Sequence, residues 1–311
     1  MSEALAALRA GGKPAMARAL SALETGFDPL ALPDADMVAL LDAAAADPLG
    51  HVIGLTGPPG VGKSTLTGSL LARSRQAGLS VGVIAVDPSS QITGGALLGD
   101  RTRIRTAPDD AQAFVRSLAA RDRLGGLSDI AVAAAILMRA AYDRVIVETV
   151  GIGQSEADIG LVADTLVLCV QPGSGDALQF MKAGIMELPD IIAVTKADMG
   201  ASARRACADV EGALGLVAGG GGWKVPVVAV SAASGEGIGD LLSAIDAHRG
   251  WLEREGRLDA RRDAQALAFI RDCLRTRHGR IGLRRVSDRI VAHDTHTPFA
   301  AVARLARSLD K

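Results

Sequence analysis

The segment Gly57-Pro58-Pro59-Gly60-Val61-Gly62-Lys63-Ser64-Thr65 matches the pattern G-x-x-x-x-G-K-[ST] at every fixed position. It follows an apolar run at 51–56 and precedes a helical pattern at 66–75, the strand–loop–helix context in which the pattern carries meaning. Glycines let backbone N–H groups turn inward around a phosphate, and the helix N-terminus adds its positive dipole end. Lys63 can then reach the β- and γ-phosphates, and Ser64 can ligate Mg²⁺. A chance Gly-rich turn is the competing reading in a chain of 36 glycines, and the strand–loop–helix context argues against it.

From residue 50 onward the chain alternates short β-rich runs with helical stretches. Strands are predicted at 52–56, 81–87, 144–150, 165–171, 191–195 and 225–231, mostly as continuous apolar runs of the kind covered on both faces. Helices are predicted at 64–76, 128–141, 176–187, 201–214 and 238–255. This alternation predicts an α/β fold with a doubly wound, mostly parallel sheet. Residues 1–46 and 251–311 read as helical N- and C-terminal extensions flanking a phosphate-loop domain at 47–250, the C-terminal one a possible dimerisation arm.

Composition excludes several classes. Lys plus Arg (34) nearly cancel Asp plus Glu (35), so no global field favours nucleic acid or an anionic membrane. No apolar run reaches the length of a membrane span. The first residues lack the pattern of a secretory signal. Cys169, Cys207 and Cys273 form no C-x-x-C and read as reduced thiols, which predicts a cytoplasmic protein.

The remaining motifs fall at strand ends, where ligands bind in open α/β sheets. Asp87, before Pro88, is placed to hold Mg²⁺ beside the phosphate loop, although an Asp before Pro also forms turns. The segment 91–106 reads as a loop able to order around a γ-phosphate. In it Asp100 is a second metal candidate, and Arg101 and Arg103 are candidates for stabilising the transferring phosphoryl group, or else solvated loop charges. Glu148, followed three residues on by Gly151, has the form of a γ-phosphate sensor. Glu148 would hold a Mg²⁺-bound or attacking water, and the Gly151 N–H would contact the γ-phosphate. Gln154 is a candidate for orienting that water or for packing the switch.

Base identity is read at Thr195-Lys196-Ala197-Asp198. Asp198 can accept from guanine N1–H and the exocyclic amine, a donor pair adenine does not offer. The stem of Lys196 can lie along the base, and Thr195 stands where Asn is usual. Ser231, Ala232 and Ala233 would offer N–H groups to guanine O6. These motifs, in this order after the phosphate loop, point to GTP/GDP rather than adenine nucleotides.

The strings at 57–65, 87–90, 99–103, 148–156 and 172–176 resemble the MeaB/ArgK family of GTPases, a SIMIBI-like phosphate-loop group. The match is strong over residues 50–235. The resemblance implies a chaperone that couples GTP hydrolysis to loading and protecting the cofactor of an adenosylcobalamin-dependent acyl-CoA mutase, with methylmalonyl-CoA mutase the usual client. It implies a homodimer joined through helical extensions. It also implies magnesium-linked roles for Ser64, Asp87, Asp100 and Glu148, and guanine-binding roles for Asp198 and residues 231–233. Thr195 departs from the family's Asn, and 114–126 departs from a more Ser- and Pro-rich stretch that would face the client. Two other classes compete. A small-molecule kinase would need an acceptor-activating base, for which Asp109, Asp110 and Asp122 are the weak candidates. A nickel metallochaperone would need a metal tract, which the five histidines at 51, 248, 278, 293 and 296 do not form.

Overall fold

The computed structural model describes residues 2–26, 34–87, 104, 109–119, 127–149, 158–173, 189–215 and 222–310. Seven parallel strands form one sheet in the order β3-β2-β4-β1-β5-β6-β7. They are β1 (His51–Thr56), β2 (Val81–Asp87), β3 (Ala113–Ala119), β4 (Arg144–Glu148), β5 (Thr165–Val170), β6 (Ile191–Val194) and β7 (Val227–Ala229). Among the described residues the α-helices are α1 (Glu3–Ala10), α2 (Gly12–Gly26), α3 (Ala35–Ala46), α4 (Lys63–Gln76), α5 (Asp129–Arg139), α6 (Ala201–Leu214), α7 (Ile238–Glu253), α8 (Arg257–Val286) and α9 (Pro298–Leu309). The strand order reverses on either side of β1, which places a crevice at the carboxyl end of that strand.

Alternation along each strand feeds two cores. Val52, Ile84, Val145, Val147 and Leu166 face α5, and Ile53, Leu55, Val83, Ile146 and Val167 face α4 and α7. Both faces are therefore covered, which explains why β1 and β4 are buried at every residue. A smaller cluster packs α6 on β5 and β6 through Leu168, Ile192, Val194 and Val210.

The two helical ends join the first of these cores. Leu5, Met16, Leu20 and Leu41 from the N-terminal helices share it with Phe269, Ile270, Phe299, Val302 and Leu305 from α8 and α9. Polar ties fix the same arrangement. The Arg9 guanidinium donates to Ala140 O at 2.7 Å and to Asp47 Oδ2 at 2.9 Å. Asp42 in α3 accepts the N–H groups of Phe299 and Ala300 at 2.9 and 3.1 Å, capping α9 from another helix.

One strand was not among those expected from the sequence. Ala113–Ala119, which includes the first part of the 114–126 segment, is an edge strand in parallel register with β2. Its sequence, AFVRSLA, breaks the apolar run with Arg116 and Ser117. Arg116 is accommodated because it pairs with Glu24 and reaches Ser21 of α2. Residues 120–126 lie outside the described residues, as does the predicted helix at 176–187.

Candidate functional site: a phosphate loop joined to a base pocket

β1 ends at Thr56, and the chain turns at once into the loop. Gly57 has φ 137°, and a Cβ there would stand 2.2 Å from Cys169 O on β5. Only glycine lets the loop start this close to the neighbouring strand. Gly62, at φ 104°, is the N-cap of α4, so the first-turn N–H groups of that helix face the loop. Lys63 is 6% exposed. Its Nζ donates to Gly57 O at 2.7 Å and Pro58 O at 3.1 Å, folding the side chain back along the loop where a phosphate would be gripped.

Glu148, the last residue of β4, is 3% exposed. Its Oε1 accepts from Ser64 Oγ at 2.6 Å and its Oε2 from Thr67 Oγ1 at 2.9 Å. Two residues predicted from distant motifs thus meet in space. Thr67 escaped the sequence reading. Its signal is positional, since it lies three residues past Ser64 and so on the same side of α4. Beneath the loop, burial pushes the Cys169 thiol up to about 12, with Lys63 pulling the other way. Cys169 is therefore a protonated, packed residue and not a nucleophile.

The base-side residues gather in a cavity of about 320 Å³. Val61, Gly62 and Thr65 from the loop line it together with Thr195, Lys196, Asp198 and residues 231–233. Lys196 adopts positive φ (56°) after β6, and its Nζ meets Gln171 Oε1. Ser231 Oγ donates to Asp198 Oδ1 at 2.6 Å. That bond fixes the orientation of the carboxylate. Thr195 is 5% exposed, and its hydroxyl donates to Val61 O at 2.8 Å and lies 3.1 Å from Val170 O. It joins the base-side loop to the phosphate loop.

Of the other predicted site residues, Asp87 has its backbone in β2, paired with Ala119, and its side chain lies outside the described residues. Asp100, Arg101, Arg103, Gly151 and Gln154 also lie outside them. His293 and His296 have ring centroids 6.2 Å apart, and among the described residues no three His, Cys, Asp or Glu side chains converge as metal ligands. Among the described residues no helix is long and apolar enough to cross a membrane.

A doubly wound parallel sheet with the phosphate loop at its strand-order reversal and a cavity beside it defines the phosphate-loop GTPase fold. The family profile "Methylmalonyl Co-A mutase-associated GTPase MeaB" matches residues 17–279, and the chain belongs to that family. It is 47% identical to a Pyrococcus abyssi protein that carries a provisional GTPase name, over 219 residues, 68% of this chain and 66% of that one. It is 37% identical to the GTPase ArgK of Escherichia coli over 280 residues, 87% of this chain and 82% of that one. The match thus spans about two thirds of the archaeal relative's own length. Among solved structures, the crystal structure of an LAO/AO transport system kinase superposes with a TM-score of 0.69 at 28% identity, covering 99% of this chain and 97% of that one.

Proposed function

We propose that the protein is a Mg²⁺-dependent GTPase that acts as a chaperone for an adenosylcobalamin-dependent acyl-CoA mutase of the methylmalonyl-CoA mutase type. The GTPase domain spans residues 47–250, with 1–46 and 251–311 as helical extensions. The observation that carries the GTPase half is the convergence of Ser64 and Glu148 at 2.6 Å beside a cavity shared by the loop and Asp198. The mutase half rests on the family's description.

The donor set suits a hard cation. A hydroxyl and a carboxylate, both oxygen donors, meet next to the phosphate loop, as Mg²⁺ beside phosphates requires. Ser64 would ligate it and Glu148 would hold a water of its shell, with Asp87 and Asp100 as further contacts. Bound there, Mg²⁺ would neutralise charge on the β- and γ-phosphate oxygens.

The chain's own residues then divide the work. The loop residues 57–65 wrap the phosphates, and Lys63 exchanges its bonds to Gly57 O and Pro58 O for bonds to phosphate. Asp198 accepts from the guanine edge, and residues 231–233 donate to O6. Glu148 and Gln154 orient the attacking water, whose oxygen bonds to the γ-phosphorus as the bridging P–O bond breaks and GDP leaves with the electron pair. Gly151 and Arg101 stabilise the γ-phosphoryl oxygens. The difference between the GTP and GDP states is read by the mutase and by a second copy of this chain in a homodimer.

The test is capture of a purified adenosylcobalamin-dependent mutase by the purified protein, with GDP and with a non-hydrolysable GTP analogue. Nucleotide-dependent association supports the reading. Absence of association in both states, across several acyl-CoA mutases, overturns the mutase assignment and leaves the GTPase assignment standing.

A further inference from the structure

A second cavity, of about 240 Å³, lies between α3, α5 and α8. Val52, near the start of β1, forms part of its wall, so it sits at the end of the sheet opposite the phosphate loop. Most of its wall is apolar, including Ala45, Ile136, Leu161 and Phe269. Val132, Ala135, Ile136 and Arg139 line it at the spacing of one helix face, which brings Arg139 to the cavity among hydrophobic side chains.

Arg139 is 6% exposed, and among the described residues its buried Nε has no hydrogen-bond partner. Burying a guanidinium in this way is costly unless something pairs with it. Burial lowers its pKa to about 10, with Asp164 opposing and Arg262 reinforcing the shift, so it is still cationic at neutral pH. Arg262, which also lines the cavity, is committed to Asp164 through bonds of 2.9 and 2.8 Å. The fully buried Asp164 accepts the Val52 N–H as well. His51, 3.7 Å from Asp164, is neutral because burial drives its pKa down to about 3. Arg139, Arg262, Asp164 and His51 together therefore carry one net positive charge. Asp259 and Asp263 also line the cavity and are exposed, where water screens them.

We propose that this cavity is a binding site for a small carboxylate carried on an apolar body, with the carboxylate paired to Arg139 and the hydrocarbon against Ile136 and Phe269. The one guanidinium not committed to Asp164 suits a monoanion, and the two exposed aspartates on the same wall disfavour a phosphate dianion. The apolar wall favours a hydrocarbon over a hydrated inorganic ion.

The experiment is calorimetric titration of the full chain with hexanoate and, separately, with inorganic phosphate, each up to about 10 mM, on wild type and Arg139→Met. Thermal unfolding of both proteins confirms that the variant folds. The expected result is saturable one-to-one hexanoate binding that raises the wild-type melting temperature and is weakened at least about tenfold in R139M. Arg139→Lys should recover part of the loss. Absence of saturable hexanoate binding to wild type, or equal binding by R139M, would overturn the proposal. Phosphate binding as tight as hexanoate and equally lost in R139M would overturn the carboxylate assignment.

Discussion

Ser64 Oγ donates to Glu148 Oε1 at 2.6 Å across the gap between α4 and the end of β4. Thr67 holds the other carboxylate oxygen at 2.9 Å. A carboxylate fixed at both oxygens, 3% exposed, has its position set before nucleotide arrives. That is the pre-organisation a metal-and-water site requires, because reorganisation during the reaction would cost rate. The Glu side chain also reaches Ser64 directly, so under the proposed function magnesium would join a pair already assembled.

Glu148→Gln is expected to leave GDP affinity within a few-fold of wild type while lowering single-turnover GTP hydrolysis by roughly 100-fold or more, the scale of losing one aligned electrostatic group. Ser64→Ala is expected to weaken magnesium-dependent nucleotide binding instead. Quench-flow hydrolysis and nucleotide titration with and without Mg²⁺ separate the two. Hydrolysis unchanged in E148Q would remove Glu148 from the mechanism.

Thr195→Val removes the hydroxyl that donates to Val61 O while keeping shape. Leaving a buried carbonyl short of its donor costs about 1–3 kcal/mol. A lower denaturant midpoint and weaker GDP binding are expected together, because Val61 belongs to the phosphate loop. A loss of stability with GDP affinity intact would show that the tie does not act on the loop.

Much of this site was legible because its parts are short strings at strand ends. The loop announced itself by pattern, and Asp198 and Glu148 by their positions after apolar runs. The structure adds what spacing cannot show. Thr195, which reads as a weakened base contact, is a tie between loops, and Thr67 reads as an ordinary helix residue until Glu148 lies beside it. β3 was missed for a physical reason. An edge strand needs cover on fewer sides, so Arg116 and Ser117 are tolerated and the apolar run that marks a central strand is absent. The helical ends were recognised as helices, but their sharing of one core with α5 depends on pairs such as Asp42 and Phe299, 257 residues apart.

Asp198→Asn tests the base assignment. Asparagine offers a donor where guanine also presents donors, so GTP affinity is expected to fall by about 100-fold or more, as when a buried polar pair is mismatched. Xanthine carries a carbonyl in place of the exocyclic amine, so xanthosine triphosphate is expected to bind D198N better than wild type. Competition binding with the two triphosphates reads both changes. Unchanged GTP affinity would place the base elsewhere.

The polar layer under β1 sets a pH dependence. Burial, aided by Arg249, Arg262 and His248 and opposed by Asp164, lowers the His51 pKa from 6.5 to about 3. The unfolded chain therefore binds a proton below pH 6.5 that the folded chain does not. Stability falls as pH drops from 6.5 towards 3, by up to about 1.4 kcal/mol per unit for this group. Asp42 works in the opposite sense. Burial, outweighing the two N–H groups it accepts, raises its pKa to about 6, so its contribution is lost as pH rises from 3.8 towards 6. His51→Gln is expected to reduce the acid-side loss by one proton's worth, seen as converging wild-type and variant stabilities between pH 6.5 and 4 in urea titrations. Parallel curves would contradict the assignment.

The central claim is that the phosphate loop and Asp198 together select a guanine nucleotide. Equilibrium titration of the purified chain with GTP and ATP, in the presence of Mg²⁺, tests it most directly. The account predicts GTP binding at least about 100-fold tighter than ATP, with the GTP preference lost in D198N and both affinities lowered in Lys63→Ala. Equal affinity for the two nucleotides would contradict it.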